Sequence, residues 1–218
     1  MGFQADQVRD DIVDRVLARE LMPGDRIDET DLRERLSLSG TPIREALISL
    51  EAEGVVERRP RGGALITSLD LEGLMKMIEV QAETEGSVAA LASRRANKAQ
   101  AERLRDTAQA CMDYAKGQHD LADSYFDLNV EFHRAMISAA GNEYMAKAVY
   151  NVANRMIAYL AARHELPGAH MISATEHMEL CDVVLDADAE RARELMIRHI
   201  SFTDSIALDV LNAVRPST

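Results

Sequence analysis

Residues 37–56 most constrain how this chain can fold, because a tight turn there leads into a helix with one apolar face. Ile43, Leu47 and Leu50 recur at the three- and four-residue spacing of a helix that is buried on one side. Gly54 comes one helical turn after Leu50. Glycine readily adopts the left-handed backbone conformation that commonly ends a helix. The pattern therefore predicts a single amphipathic helix ending at Gly54.

A second, shorter helix is predicted directly upstream, over residues 28–36, with Asp28 as its N-cap. Only residues 37–39 separate the two helices, and either Ser39 or Thr41 could cap the start of the second one. Two helices joined by so short a turn form a helix-turn-helix, in which the second helix reads the major groove of DNA.

A hairpin is predicted to follow the second helix. Residues 55–59 and 64–66 are rich in apolar residues, and they flank a turn at 60–63 that carries Arg61 near its tip. A helix-turn-helix followed by a basic hairpin is a winged DNA-binding unit.

Charge is the main objection to this interpretation. The chain has a net charge of −12, and residues 1–68 hold ten arginines against fourteen acidic residues, a formal −4. The positions of the arginines answer the objection, since Arg44, Arg58, Arg59 and Arg61 all fall in the second helix or the wing. A local basic face of this kind can still follow DNA phosphates.

The first 68 residues resemble the winged helix of GntR-type bacterial transcription regulators. The segments that carry the resemblance are 23–24, 28–29, 41–47, 50–54 and 61–64. By this resemblance the residues facing DNA are Ser39, Thr41, Arg44, Arg61 and Gly62. Two positions that are often arginine in such proteins are Gly40 and Thr30 here, so a nonstandard operator or weaker binding is expected.

The rest of the chain, residues 69–218, is predicted to be a second domain made of six antiparallel helices. Caps and helix-breaking residues set the expected bounds: Leu71–Arg95, Lys98–Lys116, Asp120–Ala139, Glu143–His164, His170–Leu185 and a last helix from the Asp188 cap to about Leu211. The predicted fold class is mostly α, a winged helix-turn-helix followed by an all-α bundle.

This half is similar to the FCD effector domain of the FadR branch of the same superfamily, over residues 78–200. Such domains commonly hold a divalent metal with three histidines and one acidic residue. The resemblance implies that His133, His177 and His199 are ligands of zinc, with nickel and manganese as alternatives. Alternatively, each histidine is a hydrogen-bonded core residue.

The acidic ligand is where this chain departs from the pattern. Asn129 lies one helical turn before His133, where the resemblance calls for an acidic residue. Either its amide oxygen completes the site, or Asp127 or Glu131 does so from a shifted face. Helix geometry opposes the second option, because residues two apart do not share a face.

The effector is expected to be a small molecule, with an organic acid as one candidate. FCD proteins that bind carboxylates often carry an arginine shortly after the Glu-Val of their first helix, and Gln81 stands there instead. Gln81 can hydrogen-bond a ligand but brings no positive charge. Arg155 could supply that charge if it points inward; otherwise it is an exposed helix charge.

Composition sets the remaining limits. The 47% hydrophobic content supports a packed core, and no apolar run approaches a membrane span. Cys111 and Cys181 show no motif spacing, which favours reduced thiols in a cytoplasmic protein.

Taken with the two resemblances, the sequence predicts a homodimeric, metabolite-responsive repressor of a pseudo-palindromic operator. The alternatives are a metal-dependent hydrolase with an accessory domain and a helical dimeriser that binds no effector.

Overall fold

The computed structural model describes residues 2–59, 63–118 and 124–215. The chain divides into two compact units. The first consists of Met1–Leu74, Tyr150–Ala162 and Asp204–Thr218; the second consists of Met75–Val149 and Arg163–Thr203.

The first unit begins with a winged helix-turn-helix that carries a small three-stranded sheet, which confirms the predicted fold class. Its elements are α1 (Phe3–Leu17), β1 (Arg26–Ile27), α2 (Glu29–Leu36), α3 (Gly40–Glu53), β2 (Val56–Arg58) and β3 (Ala64–Ile66). Strand β3 lies in the centre and pairs antiparallel with both β1 and β2. The two-residue β1 was not predicted, since so short a strand leaves no periodicity to detect.

The helix ends follow from their capping residues. Oδ1 of Asp28 accepts hydrogen bonds from the backbone N–H groups of Thr30 and Asp31 at 2.8 and 3.3 Å, which starts α2 as predicted. Gly54 ends α3 in the left-handed conformation, with φ of 82°. Ser39 occupies the N-cap position of α3, but its side chain makes no capping hydrogen bond.

The core of the winged helix is formed by apolar residues of α1, α2 and α3 together with the sheet. Ile157 and Ala158 also pack against it, so part of the first unit comes from much later in the chain. The Tyr159 hydroxyl accepts a hydrogen bond from the backbone N–H of Leu69 at 2.8 Å. The chain just after the wing is thereby anchored to the same unit.

Eight helices follow the wing among the described residues, where six were predicted. They are α4 (Leu71–Arg95), α5 (Lys98–Ala115), α6 (Tyr125–Ala140), α7 (Glu143–Arg155), α8 (Ile157–His164), α9 (Ala169–Leu185), α10 (Ala189–Ile200) and α11 (Asp204–Ala213). None of the helices in the described ranges combines the length and the apolar content needed to cross a membrane.

The two extra helices come from interruptions that the periodicity does not reveal. The predicted fourth helix is broken at Met156, and the predicted last helix stops at Ile200 before α11 begins. At the second break, the Ser201 hydroxyl donates to the Ile197 carbonyl at 2.7 Å. Arg163 donates to the carbonyl of His199 at 2.8 Å. The Ile197 carbonyl also accepts from the Ser201 N–H at 3.0 Å, so Ser201 ends the helix with both of its donors, and Arg163 supplies a donor to a carbonyl of the last turn.

The core of the second unit consists mainly of aliphatic side chains from α4, α5, α6, α9 and α10, with the aromatic rings of Tyr125 and Phe132 from α6. Cys111 and Cys181 are both buried within it as free thiols. The N-cap predicted at Asp188 is present, since its Oδ1 accepts from the backbone N–H of Arg191 at 3.1 Å. Its core helices place the three predicted ligand histidines close together.

Candidate metal centre and nucleic-acid interface

Three imidazoles from three helices meet inside the second unit. His133 of α6, His177 of α9 and His199 of α10 each offer one ring nitrogen to a group whose members lie within 4.8 Å of one another. The Nε2 of His199 is 3.2 Å from that of His177 and 3.4 Å from that of His133. His177 and His199 are buried, and only His133 is partly accessible.

Two carboxylates fix the protonation of this cluster. Glu85 Oε2 lies 2.5 Å from Nδ1 of His133, and Glu176 Oε2 lies 2.7 Å from Nδ1 of His199. A carboxylate accepts, so each Nδ1 carries the proton and each Nε2 is left with its lone pair. Metal-binding histidines are commonly oriented in this way. Neither glutamate was predicted from the sequence to contact a histidine.

The spacing of the three nitrogens suits a metal ion. Zinc holds imidazole nitrogens about 2.0–2.1 Å away, so two ligands at the tetrahedral angle stand about 3.3–3.4 Å apart. The observed separations of 3.2 and 3.4 Å match this value. Because carboxylates engage Nδ1 of His133 and of His199, the Nε2 atoms of these two rings are left to bind a cation.

Burial favours the neutral, metal-binding form of His177 and His199. Loss of solvent lowers the pKa of His177 and of His199 well below 6.5, and the neighbouring His133 contributes a smaller lowering. Phe132 stacks on the His177 ring with centroids 3.9 Å apart, which holds that ring in place. His164 is also buried, and its pKa is lowered to about 3, mainly by burial and next by the charge of Arg163.

Asn129 is buried one turn before His133, and its Oδ1 accepts a long hydrogen bond of 3.5 Å from the Ser173 hydroxyl. The two carboxylates considered as substitutes have other partners. Asp127 accepts from the Ser124 hydroxyl at 2.7 Å, and Glu131 pairs with arginines of α5 and α6 at 3.0 and 2.8 Å. Of these candidates for a fourth ligand, Asn129 is therefore the one whose oxygen is not taken by a capping contact or an ion pair.

Gln81 is connected to the metal-ligand cluster through a glutamate. Its Nε2 donates to Glu85, which in turn accepts from His133. This contact fixes the orientation of the Gln81 amide, so its Oε1 must point elsewhere. That oxygen is buried and has no hydrogen-bond partner among the residues that the structure describes.

Arg155 does not lie in the unit that holds the histidines. It belongs to the first unit, where it is exposed and its Nε donates to Asn151 Oδ1 at 3.3 Å. Its aliphatic stem packs beside Gly54 at the end of α3. Arg163, in contrast, lies in the second unit, where its Nη2 donates to the His199 carbonyl.

The residues predicted to face DNA lie on the exposed side of the helix-turn-helix. Ser39, Thr41 and Arg44 are exposed at the start of α3, while the opposite face is buried in the core. Arg44 forms no ion pair with any described residue, so its guanidinium is available. Glu51, a carboxylate on the same helix that could have paired with Arg44, instead lies 3.8 Å from Arg58. Arg61 and Gly62 lie outside the described residues.

Comparison with known proteins agrees with both halves of this description. Residues 4–66 match the family described as bacterial regulatory proteins, gntR family, and residues 76–202 match the FCD domain. The chain therefore belongs to the GntR family of DNA-binding transcription regulators, in the FadR subfamily whose members carry a C-terminal FCD domain. It is a regulator and not an enzyme, which removes the hydrolase alternative.

Two curated relatives resemble the chain over most of its length. One is the Nta operon transcriptional regulator of Aminobacter aminovorans, which is 27% identical over 178 residues, 82% of each protein. The other, from Paenarthrobacter nicotinovorans, is named "Probable D-xylose utilization operon transcriptional repressor". It is 27% identical over 198 residues, which cover 90% of this chain and 85% of that protein.

A solved structure shares the fold. The chain is similar to Escherichia coli McbR/YncC with a TM-score of 0.76 and 19% sequence identity. The match covers 92% of this chain and 94% of that one. At this identity the likeness extends to the fold alone.

Proposed function

We propose that this protein is a metabolite-responsive repressor that binds a pseudo-palindromic operator as a homodimer and senses its effector at a metal centre in the FCD domain. The observation that carries the proposal is the cluster of His133, His177 and His199, with two of the three rings oriented by carboxylates. Carboxylates on Nδ1 of these two rings leave their Nε2 atoms available to an ion. Because the proposed target is operator DNA, we expect the protein to act in the cytoplasm.

His133, His177 and His199 would hold the divalent ion, and Asn129 would supply a fourth, uncharged oxygen. Zinc fits this donor set best, with nickel and manganese as alternatives. A bound ion supplies a positive centre with coordination positions that an effector oxygen can occupy. The protein's own contribution is to orient His133 through Glu85 and His199 through Glu176, and to favour the neutral form of His177 and His199 by burial.

The charge balance of the site favours an anionic effector, such as an organic acid. Three neutral imidazoles and one amide leave the charge of a divalent ion uncompensated by its direct ligands. Both nearby glutamates contact the far side of a histidine ring. A carboxylate group on the effector would provide the missing negative charge at the ion itself.

Gln81 adds a further requirement for the effector. Its Oε1 is a buried acceptor without a partner among the described residues, and leaving such an atom unpaired costs about 1–3 kcal/mol. An effector with a hydroxyl or amino group could donate to it, whereas a plain carboxylate could not. We therefore expect a substituted acid. Arg155 stays a less favoured contact, because it is exposed in the first unit.

In the DNA complex, α3 would enter the major groove with Ser39, Thr41 and Arg44 towards DNA. Arg61 and Gly62 of the wing would contact the backbone or the adjacent groove. We propose that residues 1–68 form the DNA-binding domain and residues 69–218 the FCD-like domain. Effector binding would shift the population of FCD conformations away from the one that holds two α3 helices at the operator spacing.

Fluorescence anisotropy on a labelled duplex of the gene's own upstream region tests the proposal. The protein is compared as purified, stripped with EDTA, and reloaded with zinc, nickel or manganese, each with a panel of organic acids. We expect saturable binding that a hydroxy or amino acid reverses only in the metal-loaded protein. A DNA affinity that no metal and no acid changes would instead favour the helical dimeriser that binds no effector. Analytical ultracentrifugation checks the dimer.

A further inference from the structure

Gly40, the first residue of α3, lies directly against an arginine from the preceding helix. A Cβ atom built on Gly40 would be 3.0 Å from Nη2 of Arg33, 3.4 Å from its Cζ and 3.5 Å from its Nε. The whole guanidinium group therefore lies over the glycine. A larger residue at position 40 would have to displace it.

The guanidinium of Arg33 is weakly held within the protein. Among the described residues its ion-pair partner is Glu29, one turn earlier on α2, at 3.7 Å, and its side chain is 43% exposed. Exposed pairs of this kind contribute little. Arg35, on the same helix, is different, because its Nη1 and Nη2 both donate to the Asp11 carboxylate at 2.6 Å.

The location of Arg33 is electrostatically unfavourable for a cation in the free protein. The N-terminus of a helix carries partial positive charge, so an arginine beside the start of α3 is repelled. The first-turn N–H groups also receive no capping bond from the Ser39 side chain. An anion placed here would be attracted both by the guanidinium and by the free N–H groups.

We propose that Arg33 contacts a DNA phosphate beside the start of α3 and supplies from α2 the positive charge that position 40 lacks. The inference rests on the DNA-binding orientation proposed above. It assigns a function to Gly40 as well: the absence of a side chain lets the Arg33 guanidinium reach this place. Ser39 and Thr41, both exposed beside it, can donate hydroxyl hydrogen bonds to the same phosphate.

The test compares Arg33→Gln with Arg35→Gln in the full-length protein. The probe is a duplex that the wild-type protein has selected from a random-sequence pool, and its affinity is measured between 50 and 300 mM KCl, roughly the range in which counterion release is visible. Arg33→Gln should reduce the slope of log K against log salt by about 0.9 for each bound subunit. Affinity should fall about equally on mismatched duplexes, because a phosphate contact carries no base preference. Arg35→Gln should leave the slope unchanged and lower the melting temperature.

Moving the arginine from position 33 to position 40 makes the test specific. Arg33→Ala combined with Gly40→Arg should recover most of the lost salt slope. Removing the Arg33 side chain leaves room beside position 40, and the new arginine there would bring its guanidinium to the same phosphate. In contrast, Gly40→Ala should weaken DNA binding only while Arg33 is present. A wild-type slope in Arg33→Gln would overturn the inference and leave DNA binding intact. A wild-type protein that selects no duplex at all would overturn the proposed function itself, and this inference with it.

Discussion

The Nδ1 of His133 donates to Glu85, whose carboxylate oxygen is 2.5 Å away, and this contact connects α4 to the metal-ligand cluster on α6. Glu85 is 4% exposed, so it is a buried carboxylate with a definite partner. Its second oxygen accepts from Gln81 Nε2. A single glutamate thus orients one candidate metal ligand and one candidate effector contact.

Replacing this glutamate should weaken metal binding without removing a ligand. Glu85→Gln is expected to lower zinc affinity about 10- to 100-fold, because an amide holds the His133 ring less strongly and makes it less basic. Competition with a chromophoric chelator measures this. Glu131→Gln is the matched control, since Glu131 is on the same helix as His133 and pairs only with surface arginines. Equal affinities in both variants would contradict the role assigned to Glu85.

Metal removal should destabilise the folded protein. Zinc at about 100 times its dissociation constant is expected to add about 2.7 kcal/mol to the free energy of unfolding. Thermal unfolding with and without zinc checks this, with EDTA to reverse the effect. His177→Gln should abolish the zinc-dependent shift, because His177 is a fully buried member of the cluster. A shift that persists in this variant would mean that zinc binds elsewhere.

Arg44→Ala should reduce both affinity and sequence discrimination. If Arg44 contacts a guanine edge, its loss costs about 1–3 kcal/mol, and preference for that base pair is relaxed. Anisotropy on the selected duplex and on single-position variants of it would show the effect. Arg103→Ala is the control, since Arg103 pairs with Glu131 in the second unit. A loss of affinity that is the same for every base pair would assign Arg44 to a phosphate instead.

Gly54→Ala should destabilise the first unit for two reasons. Gly54 has φ of 82°, and a Cβ there would be 2.4 Å from Cγ of Arg155. We expect a loss of more than about 1 kcal/mol in denaturant unfolding. Gly117→Ala separates the two causes, since Gly117 has a similar φ of 72° but no described residue within 4 Å of its added Cβ. Equal losses at both positions would show that contact with Arg155 is unimportant.

The buried cysteines should be unreactive in the native state. Burial raises the pKa of the Cys111 thiol to about 12 and that of Cys181 to about 11. An unfolded thiol ionises near pH 8.5, so the free energy of unfolding should fall as pH rises above that value, until the folded thiols ionise as well. Iodoacetamide at pH 8 should label both residues only after denaturant is added. Rapid labelling without denaturant would contradict this burial.

Short-range patterns predicted much of this fold. Local capping chemistry located the starts of α2 and α10 through Asp28 and Asp188, and a single glycine located the end of α3. Helical periodicity cannot detect a break within an apolar stretch, and neither glycine nor proline marks Met156 or Ser201. The helices that end there were therefore predicted too long.

The candidate site was only partly predictable, for a physical reason. The three histidines could be named because a family resemblance assigns a metal-binding role to residue types at given positions. Glu85 contacts His133 across 48 residues, and no local signal reports such a pair. The same is true of Arg33 and Gly40, whose relation depends on how two helices turn against each other.

Local sequence patterns predicted most of the helices, the caps at Asp28 and Asp188, the winged helix-turn-helix and the family, because these depend on neighbours within a few turns of the chain. The tertiary structure determined which polar groups meet. A carboxylate contacts Nδ1 of His133 and another contacts Nδ1 of His199. Gln81 Oε1 has no partner among the described residues, and the Arg33 guanidinium lies against Gly40. Side-chain partners across helices are set by packing, which acts between residues far apart in the chain.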